Sequence, residues 1–377
     1  MPLLSELSDL RGRLQDDLFP YLEESLGPLG PKYQQLVAVF EMAPVGVFLT
    51  HCPGGRGRPS ADRAPLARAF IAKAVLNLPT TTHLIDRLRY DKTLRRLCGW
   101  QRLGAVPSEA TFSRAFAQFA ALDLPARLHE ALIVATHEDR LVGHVSRDAT
   151  AIEAREKPVK VKAPKRCRSK KKPQKGEPGW ETVRRLQRQQ TMTLPEMLAD
   201  LPKHCAVGVK PDAKGFKTFW IGYKLHLDTA DRGIPITAIL TSASLHDSQA
   251  AIPLATMTAQ RITNLYDLMD PSYDAPEIDA ACRGFGRIPI VPPQARRDAA
   301  LKQELAAEAR ARRTLNFETP EQVRYRVRTT AERANARLKD EFGGRFVRVR
   351  GHAKVMCHLM FGLLALTVDQ LMRLVPG

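Results

Sequence analysis

The chain has 377 residues, long enough for two or three domains around a sizeable core, and carries 58 Lys and Arg against 40 Asp and Glu for a net charge of +18. That balance favours a polyanionic partner, nucleic acid before an acidic membrane surface. The six cysteines are scattered without a Cys-x2-Cys pair, which argues against a disulfide framework or a structural zinc site.

The N-terminus, MPLLSELSDLRGRLQDD, bears acids in its first turns and lacks a basic flank leading into an apolar stretch, so it does not read as a signal peptide. Residues 1–137 read as an all-helical domain, with helices over 33–42, 61–76, 82–89, 92–98, 109–119 and 124–137. Pro107-Ser108 places a serine N-cap before a segment in which Phe112, Phe116 and Phe119 recur at i, i+4 and i+7. Short capped helices of this kind are compatible with a helix-turn-helix DNA reader, and more often with a plain helical bundle.

Residues 141–148 read as a strand ending in Asp148. A segment of extreme bias follows: residues 155–175 hold eleven Lys and Arg, Lys170, Lys171 and Lys172 among them, against the single acid Glu156. With three prolines and few large apolar side chains it buries no core, so a flexible basic insertion is expected over about 155–215. It is either a phosphate-gripping arm or a solvated loop, and its charge density favours the arm.

Residues 219–227 alternate, with Phe219, Ile221, Tyr223, Leu225 and Leu227 on one face and Trp220, Lys224 and His226 on the other. The turn DTADRG leads to a second strand, 234–241, making an antiparallel hairpin. A helix over 246–261, a strand over 265–270 ending in Asp270, a helix over 274–283 stopped by Gly284, and a strand over 287–291 closed by Pro292-Pro293 come next. The connection 293–318 is charged and helix-prone. The apolar run 355–368 is too short to span a bilayer and contains His358, so it reads as a buried helix and the chain as cytoplasmic.

Between these lies YRVRTTAERANARLK, residues 325–339. Wound as one helix, it gathers Tyr325, Arg328, Glu332 and Lys339 within about 60° of arc. Val327, Ala331, Ala334, Leu338 and Phe342 form an apolar stripe, and Arg326, Arg333 and Arg337 a basic face. An amphipathic surface helix would look similar. A single carboxylate among cations also suits a metal ligand beside a phosphate backbone.

Three strands followed by helix, strand, helix, strand, helix is the element order of an RNase H-like α/β fold. A mixed five-stranded sheet flanked by helices is therefore expected over residues 138–377. Its first and fourth strands would run parallel as neighbours and bring Asp148 and Asp270 together at their C-terminal ends.

The segments RDAT, GYKLHLDTA, GIPITAILTSASLHDSQAAIPL and MDPSYD, followed by Tyr-x2-Arg-x3-Glu-x6-Lys, stand in one order, and from about residue 141 onward the chain resembles bacterial insertion-sequence DDE transposases of the Tyr-Arg-Glu-Lys clade. The resemblance implies DNA cleavage and joining of the freed 3′-OH to target DNA, with Asp148, Asp270 and Glu332 as the metal-binding catalytic triad. It implies Tyr325, Arg328 and Lys339 as phosphate contacts, an end-recognition role for the N-terminal domain, and a homodimer or larger assembly on DNA, with no membrane. Arg333, Arg337 and the lysines at 170–172 are further DNA-facing candidates. An all-carboxylate site points to Mg²⁺ or Mn²⁺. Ser272 stands where relatives usually have glycine, which keeps Asp267 and Asp274 as alternatives to Asp270. Asp267 faces the other side of its strand, Asp247 and Asp274 read as helix caps, and Glu153 as a supporting group. A related nuclease that cuts without joining, or a silent DNA-binding regulator, are the competing functions. No large β insertion is expected over 293–318.

Overall fold

The computed structural model describes residues 2–49, 61–138, 140–159, 183–211, 215–293 and 298–375. Residues 160–175 of the expected basic arm, including Lys170, Lys171 and Lys172, lie outside these residues.

Helices α1 (Pro2–Gly12) and α2 (Phe19–Leu26) occupy a stretch that shows no clear periodic signal, joined by a π-helical turn over Arg13–Leu18. Leu3, Leu7 and Leu14 are buried and anchor them. Then come α3 (Pro31–Met42), the single turn α4 (Val45–Phe48), α5 (Arg63–Val75), α6 (Thr81–Tyr90), α7 (Lys92–Cys98), α8 (Glu109–Ala121) and α9 (Leu124–His137). Ser108 holds the N-cap position of α8, though its side chain makes no capping bond to the backbone. The phenylalanine stripe of α8 is buried, with Phe112, Phe116 and Phe119 around Phe70 of α5.

The sheet has six strands, one more than expected: β1 (Leu141–Glu153), β2 (Ala206–Pro211), β3 (Lys217–Ala230), β4 (Ile234–Ser242), β5 (Thr263–Leu268) and β6 (Ile288–Ile290). Their order is β2-β3-β1-β5-β6, with β4 also paired to β3. Strands β2, β3, β4 and β1 pair antiparallel, whereas β5 runs parallel to both β1 and β6. This mixed sheet with helices on both faces is the RNase H-like core. The extra strand β2 comes from the region expected as flexible insertion, as do α10 (Arg185–Gln189) and α11 (Leu194–Asp200). Val207 and Val209 of β2 are half exposed, so burial supplies little pattern, and the ladder to the start of β3 holds the strand. The alternation of β3 divides along its length. Phe219 and Ile221 are exposed, while Tyr223, Leu225, Leu227 and His226 are all buried, because helices cover both faces of its second half.

Helices α12 (Ala251–Ala259) and α13 (Pro276–Gly284) lie between the later strands, and α14 (Ala299–Thr314) fills most of the connection 293–318. Then α15 (Pro320–Tyr325), a 3-10 turn over Arg326–Arg328 and α16 (Thr329–Glu341) replace the single helix expected over 325–339. The apolar stripe survives the break: Ala331, Ala334, Leu338 and Phe342 are buried, and only Val327, inside the 3-10 turn, is not.

Helix α17 (His352–Met372) is the central strut. At 21 residues and a mean hydropathy of 1.6 it is long and apolar enough to cross a membrane, but 78% of that stretch is buried in this fold. It packs on α9, α5, α3, α8 and β4, so one apolar cluster runs from the N-terminal helices to the sheet. Gly362 lets α16 approach: a Cβ there would lie 2.5 Å from the Phe342 carbonyl oxygen and 2.9 Å from Leu338 Cδ1.

Candidate active site

Arg147 and Asp148 are consecutive on β1 and so project from opposite faces of the sheet. Arg147 is fully buried, and its Nε and Nη2 donate to Asp228 Oδ1 and Oδ2 on β3 at 2.8 and 2.7 Å. Thr258 of α12 also donates to Asp228, at 2.7 Å. This buried pair fixes which way β1 faces, and Asp148 consequently points toward α16.

Strand β1 runs five residues past Asp148, to Glu153, so the acid does not end its strand as expected. It lies just past the end of the parallel pairing instead. The β1–β5 register runs from Leu141↔Thr263 to Ser146↔Leu268, and carried two residues further it sets Asp148 level with Asp270. Beyond this point β1 is held by β3 alone, through pairs from Asp148↔Leu227 to Glu153↔Gly222. Asp270 itself opens the 3-10 turn Pro271–Tyr273, accepting from the Ser272 N–H at 2.8 Å and from the Ser272 hydroxyl. The unusual serine thus adds a bond to Asp270 that glycine lacks.

Glu332 stands on the first turn of α16, half exposed and ion-paired with Arg328. Arg328 Nη1 also lies 3.9 Å from Asp148 Oδ1, and its guanidinium sits 5.7 Å from the centre of the Tyr325 ring. Burial pushes the Asp148 carboxyl up to about 6, against the pull of Arg328, the Ala149 N–H and Asn335, and with a further push from Asp270. The Tyr325 phenol is raised by burial and also feels Asp270 and Glu332. Tyr325, Arg328, Glu332, Asp148 and Asp270 therefore form one electrostatic group, drawn from β1, the turn after β5, the end of α15, the 3-10 turn and the start of α16.

Comparison with protein families decides what chain carries this group: residues 147–368 match the transposase DDE domain. The chain belongs to the DDE-domain transposases. The match begins at Arg147, part-way along β1, and ends in α17, so it takes in the other five strands, Asp148, Asp270 and α16. A second match, to the transposase domain (DUF772), covers residues 24–118, within the N-terminal helices. Comparison with curated proteins and with solved structures found no match.

Among the described residues no three His, Cys, Asp or Glu side chains converge at the spacing that holds a metal ion. In this transposase Glu332 is drawn to Arg328 instead. Asp148, Asp270 and Glu332 each offer only oxygen, the kind of ligand taken by the divalent cations that DDE transposases normally use.

The remaining cations divide. Lys339 is partly buried on α16, its ammonium lowered by burial and by the neighbouring charges of Arg345 and Lys210. Arg333 is exposed. Arg337 is not part of an open basic face: it pairs with Glu341 at 2.6 Å and with Asp369 of α17 at 2.7 Å, and so clamps α16 to α17. Arg326 is likewise engaged, by Glu318.

The alternative acids are occupied elsewhere. Asp267 is buried on the other sheet face, accepting from Asn264 Nδ2 at 2.9 Å with Arg287 at 3.8 Å. Asp247 does not cap a helix but pairs with Lys224 at 2.7 Å. Asp274 is no cap either, since Ala275 holds that position on α13. Glu153, at the end of β1, is close enough to Lys339 to raise its pKa.

Sequence reasoning missed Asn335, which is buried and donates to Asp148 Oδ2 at 3.1 Å. A signal existed: on the helical wheel it falls between the apolar stripe and the arc holding Arg328 and Glu332. The Arg147–Asp228 pair was also missed, although both residues lie in the quoted segments RDAT and GYKLHLDTA. Tyr273 is a third omission. Its buried hydroxyl has no hydrogen-bond partner among the described residues, and burial with the charges of Asp247, Asp148 and Asp270 raises it well above the usual tyrosine range.

Proposed function

We propose that this transposase cleaves the ends of an insertion sequence and joins the freed 3′-OH to target DNA, and that it is of the Tyr-Arg-Glu-Lys clade. The observation that supports the reading is Arg328, which lies 3.9 Å from Asp148 on β1 and pairs with Glu332 on α16, while the parallel β1–β5 pairing ends two residues before Asp148 and Asp270. Asp148, Asp270 and Glu332 are the catalytic carboxylates and would hold Mg²⁺ or Mn²⁺, which when bound polarises the scissile phosphate and stabilises the charge that develops on its oxygens.

The chain's own residues do the rest. Arg328 neutralises Glu332 and Asp148 in the resting state, and its guanidinium suits a phosphate of the cleaved strand once those acids have another partner. Tyr325 and Lys339 flank the same strand as phosphate contacts, and exposed Arg333 and the lysines at 170–172 extend the basic surface. The protein acts in the cytoplasm on chromosomal DNA, as a homodimer or larger assembly, because two element ends must be paired. Helix α14 covers Ala299–Thr314 of this connection, and no strand stands among its described residues, which supports a route without a DNA-hairpin intermediate.

The test is cleavage and strand transfer on the native element ends. Asp148→Asn, Asp270→Asn or Glu332→Gln is expected to abolish both steps while leaving binding of the uncut end within about threefold. Lys339→Ala and Arg328→Ala weaken engagement of the cleaved end. Full activity in any acid variant removes that acid from the site, and cutting without a joined product selects the nuclease alternative.

A further inference from the structure

A groove of about 430 Å³ lies where the N-terminal helices meet the segment that follows α16. One wall is the end of α5 and the starts of α6 and α8, and the other is residues 348–358. Lys73 lines it and is only 7% exposed, yet its ammonium has no hydrogen bond or ion pair among the described residues. An ammonium on so buried a side chain, without a counter-ion, is unfavourable, and the carbonyl end of α5 offsets only part of that. Burial accordingly pushes Lys73 down to about 8, so it still carries its proton at neutral pH.

The groove collects more cations than acids. Arg348, Arg350 and Lys354 line its rim, exposed and likewise unpaired among the described residues. Glu109 is the single acid there, and it accepts from Thr82 at 3.4 Å. His358 adds no charge: burial and Lys73 lower it to about 3, and its Nε2 donates to the Gly343 carbonyl at 3.0 Å. The remaining polar lining is made for an acceptor-rich anion. Ser113 contributes a hydroxyl, and α6 opens on the groove with Thr80 and Thr81 at its positive end.

We propose that this groove is a phosphate-binding site, with Lys73 as its buried counter-charge and Arg348, Arg350 and Lys354 as its rim. It takes a phosphate group, supplied either by a DNA backbone or by a free phosphate. The site is separate from the acids at 148, 270 and 332, and it joins the region matched by the second transposase family to the catalytic core. A backbone phosphate seated there would hold the N-terminal helices and the core in one register on the duplex.

The experiment uses the full chain and two probes, a short mixed-sequence DNA duplex and inorganic phosphate. Binding is read, not cleavage, so the outcome does not depend on the roles given to the three acids. If DNA is the source, Lys73→Met weakens duplex binding by about fivefold or more at fixed salt, and the slope of log affinity against log salt falls by about 0.9, one phosphate contact's worth. If free phosphate is the source, phosphate raises the melting midpoint of the wild type above a chloride control of equal ionic strength, Lys73→Met abolishes that rise, and duplex affinity is unchanged. Either result sustains the site and identifies its ligand. Responses of Lys73→Met equal to wild type with both probes overturn it. Should Lys73→Met fail to fold, the exposed pair Arg348→Ala and Arg350→Ala carries the test, and an unchanged response to both probes in that variant overturns the proposal.

Discussion

Asn335 donates from Nδ2 to Asp148 Oδ2 at 3.1 Å, joining β1 to α16 across 187 residues of chain. The bond favours the ionised carboxyl and so opposes the burial that holds Asp148 up at about 6. Removing it in Asn335→Ala raises the carboxyl further. A hydrogen bond to a charged group is worth about 1.5 kcal/mol at the low end, so the rise is about one pH unit. The acid limb of the single-turnover cleavage profile is expected to move up by that amount at a fixed, subsaturating Mg²⁺ concentration, where proton and cation compete for the carboxylate, with duplex binding preserved. A profile that stays in place would mean that the bond is incidental to the chemistry.

The same raised carboxyl links function to stability. Burial holds the Asp148 carboxyl at about 6 in the folded chain, above the ordinary aspartate value of 3.8, so folding favours its protonated form. Stability therefore falls as pH rises between those two values, and the penalty is fully present at neutral pH. Asp148→Asn removes it. The variant is expected to gain about 1–3 kcal/mol at pH 7.5 while losing cleavage, and the gain should shrink toward pH 4. Urea unfolding at both pH values reads this directly; a variant less stable than wild type at pH 7.5 would contradict it.

Behind the site, Arg147 and Asp228 are each almost wholly inaccessible. Breaking such a pair leaves one charge buried alone, so Arg147→Met is expected to lose about 3–5 kcal/mol. Replacing both, as Arg147→Met with Asp228→Leu, leaves no orphaned charge and should cost clearly less than either single change. Denaturant midpoints of the three variants form the cycle. A double variant as unstable as the sum of the singles would show that the two side chains act independently.

Much of this was legible without coordinates because it is local. Strand alternation, helical periodicity and capping residues depend on neighbours a few positions away, and they placed most elements of the sheet and helices α6 to α9 within a few residues. The acids at the ends of predicted strands, and a glutamate among cations at fixed spacing, belong to the same class. Where propensity is weak or burial falls on both faces, the pattern fails, as at α1, β2 and the second half of β3.

The rest was decided by distances between residues far apart in the chain. Arg337 belongs to the basic face of a helical wheel, and only the approach of α17 reveals that Asp369 neutralises it. Asp148 and Asp270 are two acids 122 positions apart until the parallel pairing of β1 with β5 brings them close enough for Asp270 to raise the Asp148 carboxyl. Arg147 meets Asp228 only inside the folded sheet, and Lys73 is enclosed only where the N-terminal helices meet residues 348–358. Pairing, burial and electrostatic partnership fall off within a few ångströms, and separation along the chain says almost nothing about which side chains come that close.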